Sequence, residues 1–175
     1  MLTIGSTASL RLRDLIIIMV LGLILTDLAY LPTVVRTIGW ASPEWSLILV
    51  LYLAARSNFT AAAVTAFFLG SFQDALTISP EGLEALALEL IVIIVAFGSE
   101  YLKVNNFLLV ILVTLASLLK NTIFIPGLLR VMNLYMGLSA VILFDCLLKA
   151  LMTGLVAIPT LAILDFLTKS RTDQP

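Results

Sequence analysis

The chain of 175 residues has no histidine and a single cysteine. Without histidine there are no His-dependent nucleophilic triads, no His general acid or base and no His metal ligands. A lone cysteine, Cys146, excludes an intrachain disulfide and any cysteine cluster for zinc or iron–sulfur. Charge is also scarce: 10 basic and 11 acidic side chains leave a formal net charge of −1. That balance offers no positive field for a nucleic-acid backbone and no polybasic segment for anionic lipid. What remains is apolar. The chain is 61% hydrophobic and 12% charged, with a mean hydropathy of +1.15, whereas soluble domains are roughly half apolar and a quarter charged. At about 20 apolar residues per bilayer crossing, this length holds five or six spans with short loops and no soluble domain besides. The composition therefore predicts an all-α membrane protein, one transmembrane domain over residues 1–175.

Hydropathy and helix signals divide that domain into a compact bundle of six helices at about 14–31, 43–55, 59–78, 82–101, 107–129 and 138–167. The first run follows Arg11, Arg13 and Asp14. It is longer than a signal-peptide core and lacks a small-x-small cleavage site after it, so it reads as a retained helix. A connector over 32–42, around Arg36, suits the membrane interface. Ser42-Pro43-Glu44 is a helix start: serine caps, proline fits the first turn, and glutamate favours the positive dipole end. Ser79-Pro80-Glu81 repeats the signal. The second helix is short, rising only about 20 Å against a hydrocarbon core of roughly 30 Å. Pro126 is expected to bend the end of the fifth. Of the basic residues in exposed segments, Arg11, Arg13, Arg56, Lys103, Lys169 and Arg171 fall on one side, Arg36 and Arg130 on the other. The positive-inside rule then places both termini in the cytoplasm.

Lys120 and Lys149 lie inside predicted helices, where a charge needs a partner, water or protein around it. Counting along antiparallel helices puts Lys120 roughly 10–15 Å and Asp145 roughly 10 Å below the outer surface. A cross-helix pair of Lys120 with Asp145 is therefore expected, as is an i, i+4 pair of Asp145 with Lys149. Asp27, Asp74, Glu84 and Glu89 fall in the same outer half. Glu84 is explained by its place at a helix start, and Cys146 by packing. Asp27, Glu89, Lys120, Asp145 and Lys149 together form a candidate buried polar cluster, either interhelical glue or the lining of an outward site. Ala62, Ala66, Gly70 and Asp74 recur every four residues and form one small-residue ridge. The ridge packs either within the chain or against a second protein. Glu84 and Glu89 diverge by about 140° around one helix, which argues against a catalytic acid pair. No metal site or cofactor is expected.

Two blocks carry a family resemblance. Pro43-x-Trp45-x-Leu47, continuing to Leu51-Tyr52, opens a short helix. Gly70-x-x-x-Asp74 is followed after a seven-residue loop by Gly82-x-x-Ala85-Leu86, a helix end, loop and next-helix start. These resemble the MreD family of bacterial rod shape-determining membrane proteins. The loop departs from the family pattern at Ile78, where glycine is common, and Pro80 is the turn former available instead. The resemblance implies a non-enzymatic inner-membrane adaptor of the cell-elongation, peptidoglycan-synthesising complex. It implies association with the single-pass protein MreC and, directly or through it, with actin-like MreB and cell-wall synthases. Beside the Ala62/Ala66 ridge read from spacing, it marks Pro43, Gly70, Asp74 and Gly82 as partner or helix-packing residues. A homodimer within the larger complex stays open. The alternative is a substrate-binding subunit of an energy-coupling-factor vitamin transporter, similar in size and topology, with the outer polar cluster as its pocket.

Overall fold

The computed structural model describes residues 12–30, 42–56, 59–77, 80–99, 105–134 and 139–169. Among these there are helices and no strands. The helices are α1 (Leu12–Tyr30), α2 (Trp45–Arg56), α3 (Phe59–Leu76), α4 (Leu83–Ser99), α5 (Asn106–Val131) and α6 (Ala140–Lys169). Three of them, α3, α5 and α6, are long and apolar enough to cross a membrane, and the chain is a helical membrane protein. The 32–41 connector with Arg36, Ile78, Lys103 and the tail after residue 169 lie outside the described residues.

The short helix is the centre of the bundle. The sequence of α2, WSLILVLYLAAR, is apolar on every side, and every residue from Ser46 to Ala54 is buried. A helix apolar all round belongs inside protein. It packs against each of the other five helices, so it does not have to reach across the bilayer by itself. Its N-terminal end, at Glu44, is buried within the bundle.

The helices around it approach closely wherever a small residue allows. On α3, a Cβ at Gly70 would collide with the backbone of Ala85 on α4. On α6, a Cβ at Gly154 would strike the hydroxyl of Thr114 on α5. Lipid tails are as apolar as leucine, so helices in a membrane associate through such fit and through polar contacts.

α5 is interrupted by a π-helical turn, Lys120–Phe124, and then continues as Ile125–Val131. Pro126 accounts for it. Proline has no N–H, and its ring clashes with the carbonyl four residues earlier. The wider turn carries the helix past that point, with the Ile125 N–H donating to the Lys120 carbonyl. The bend expected at the end of this helix is thus a local widening upstream of the proline, and the helix goes on to Val131.

Candidate functional site

At the head of α2 the Glu44 carboxylate is the hub of a buried ion network. Lys120, on the first residue of the π turn, approaches Glu44 Oε1 at 2.7 Å and Glu84 Oε2 at 2.7 Å. Lys149 of α6 reaches Glu44 Oε1 at 3.1 Å. Ser117 donates its hydroxyl to Glu44 Oε2 at 2.7 Å, and Asn121 Nδ2 donates to Oε1 at 3.2 Å. The Glu44 backbone N–H donates to Thr153 Oγ1 at 3.1 Å. Four helices meet here: α2, α4, α5 and α6. Lys120 is 1% exposed and Glu44 3%, so neither group draws appreciable hydration. Two carboxylates and two ammonium groups balance in charge, and Ser117 and Asn121 add hydrogen bonds to Glu44. That complement is what a buried ion cluster requires.

Beside it, Asp74 joins α3 to α4. Its carboxylate accepts from the backbone N–H groups of Gly82 at 3.1 Å, Glu84 at 2.9 Å and Ala85 at 3.3 Å. These are orphan donors of the first turn of α4, capped by an acid from the preceding helix. Gly82 sits at φ +86°, a left-handed conformation that favours glycine, and this turn brings the donors round to Asp74. The glycine–aspartate motif is therefore a helix-to-helix clasp: Gly70 admits Ala85, and one turn on Asp74 caps the helix that Ala85 begins.

The opposite end of α2 carries a second polar group. Tyr52 donates its hydroxyl to Asp165 Oδ1 at 3.2 Å, Asn106 Nδ2 donates to Asp165 Oδ2 at 2.5 Å, and Arg56 donates to Asn106 Oδ1 at 2.5 Å. Arg56 stands 3.9 Å from Asp165. This group ties α2 to the start of α5 and the last third of α6.

Several sequence expectations are corrected. Lys120 pairs with Glu44 and Glu84, not Asp145. Lys149 turns to Glu44 rather than to Asp145 on its own helix. Both corrections share a cause, since Glu44 is wholly enclosed and needs cations, whereas Asp145 is half-exposed at its helix face. Asp27 lies on the exposed side of α1 and Glu89 is half-buried at the border of the exposed face of α4; neither joins the network. The ridge of Ala62, Ala66, Gly70 and Asp74 is buried within the chain. Pro43 precedes α2 and lines, with Thr26, Trp45, Gln73 and Lys149, a small polar recess next to Glu44. This recess has room for about one water molecule, far less than a vitamin needs.

Glu44 and Glu84 are the residues that a reading of helix starts passes over, because a dipole argument explains each alone. A signal was present in α5, where Ser117, Lys120 and Asn121 fall at i, i+3 and i+4 and mark one polar face in an otherwise apolar run.

The family model described as rod shape-determining protein MreD matches residues 10–169. Neither a curated protein nor a solved structure matches the chain. The match takes in all six helices, including the network at Glu44 and the clasp at Gly70 and Asp74, and the chain belongs to the MreD family.

Proposed function

We propose that this protein is a non-enzymatic membrane adaptor of the cell-elongation complex, holding an MreC-type single-pass protein in the inner membrane. Membership in a rod shape-determining family gives the role in cell shape. The observation that carries the adaptor reading is the ion network. Glu44, Glu84, Lys120 and Lys149 are used to bind four helices to one another, which suits a rigid docking body better than a reactive or solute-binding centre. Actin-like MreB and the peptidoglycan synthases then connect directly or through the single-pass partner, and both termini face the cytoplasm.

The test is purification of the tagged protein in mild detergent from native membranes at natural expression, with mass spectrometry of what accompanies it. The adaptor reading expects an MreC-type protein in near-stoichiometric amount. Recovery of paired ATPases with a coupling membrane subunit would replace it by the transporter reading.

A further inference from the structure

Among the ionisable side chains of the described helices, Glu89 has an unusual position. The antiparallel packing that sets Gly70 against Ala85 places Glu89, one helical turn further along α4, level with Ala66. Ala66 is the eighth residue of the 18-residue span Phe59–Leu76, so Glu89 lies near mid-membrane. It lies at the edge of the exposed face of α4: Leu86, Ile93 and Phe97, within about 80° of it around the helix, are exposed, whereas Ala85 and Val92 on its other flank are buried. No described residue makes a hydrogen bond or ion pair with it, in contrast to Glu44, Glu84 and Asp74.

A carboxyl group at that depth is costly without a partner, and none of the described side chains supplies one. Lipid tails supply none. The exposed stretch of α6 around Leu151, Leu155 and Ile158 carries no ionisable side chain and needs no such partner. Resting on the adaptor reading above, we propose that the outward face of α4, lined by Leu86, Ile93 and Phe97 and bordered by Glu89, is the docking surface for the transmembrane helix of a single-pass partner. That helix presents a cation or a hydrogen-bond donor at mid-membrane. Charge selects this occupant over a second copy of the chain. Two copies meeting through α4 would oppose Glu89 to Glu89, and the intramembrane cations Lys120 and Lys149 are already held by Glu44 and Glu84.

The experiment co-expresses the full chain with the MreC-type protein and measures partner retained per tagged chain. Glu89→Leu is expected to lower retention about tenfold, the effect of one interhelical polar contact. Glu89→Gln, which keeps a hydrogen bond, should stay within about threefold. Alone, the Glu89→Leu protein should elute as a single species and melt no lower than wild type, since no internal contact is removed. Benzoylphenylalanine in place of Ile93 should crosslink to the single-pass partner, and in place of Leu155 should not. Retention unchanged by Glu89→Leu, or crosslinks from position 93 joining two copies of this chain, overturns the inference and leaves the adaptor reading standing. Failure of the wild-type chain to retain the partner overturns the adaptor reading and the inference with it.

Discussion

The two ends of α2 are tied down by the same kinds of side chain in opposite surroundings. At the head, Glu44 and Lys120 are 3% and 1% exposed; at the tail, Arg56 and Asp165 are 38% and 33% exposed and stand 3.9 Å apart. The tail pair can exchange its contacts for water, so its net contribution is small. The head cluster cannot. Assembling it required desolvation, and removing one member leaves the others charged in a dry interior. Geometry that looks similar at two ends of one helix thus acts as a lock at one end and a tether at the other.

The largest expected effect follows from removing the one cation that lies between two carboxylates. Lys120→Met leaves buried Glu44 with Lys149 as its remaining base and takes from Glu84 the cation it pairs with, and should destabilise the bundle by about 3–5 kcal/mol. Thermal unfolding of the purified protein in detergent measures this. A loss below that of the tail variant described last would reverse the contrast between the two ends.

Next come the close approaches. Gly70→Leu forces a side chain into the backbone of Ala85, an overpacking that costs about 1–3 kcal/mol or more. Gly98, on the same α4, has open space around its Cβ position, so Gly98→Ala should be neutral or stabilising by up to roughly 1 kcal/mol. The pair separates steric fit from a general effect of glycine. Asp74→Ala removes the acceptor for three N–H groups at the start of α4 and should cost about 0.5–2 kcal/mol. Faster hydrogen exchange at Gly82, Glu84 and Ala85, with the body of α4 still protected, would be the local signature.

How far the sequence reveals these features depends on whether they are local. Helices show through runs of apolar residues, and α2 is visibly short because Arg56 and Glu44 bound it. The Gly70 and Asp74 spacing marks one face of one helix. Which cation meets which acid depends on the rotation of each helix and on the register between them, and no spacing within a helix carries that. Lys120 illustrates the limit. Depth counting places it near Asp145, but it begins a π turn and meets an acid that a short central helix has left inside the bundle. Asp74 shows the same limit, because its cap serves a helix that starts after an intervening loop. Asp165 and Asn106 are similarly ordinary polar ends until the helices bring them together beside the tail of α2.

The smallest effect is expected at the tail, and it is the one most sensitive to solution conditions. Arg56→Ala removes a hydrogen bond to Asn106 and the longer approach to Asp165, while Tyr52 and Asn106 continue to hold Asp165. The carboxylate is left neither unpaired nor dry, so the loss should stay at about 0–1 kcal/mol. Raising the ionic strength until the screening length falls from about 10 Å to about 3 Å should erase even that difference between variant and wild type. The head cluster, out of reach of mobile ions, should keep the full Lys120→Met difference under the same titration. A salt-independent loss at Arg56, or a salt-dependent one at Lys120, would mean that the distinction between a wet end and a dry end of α2 is misplaced.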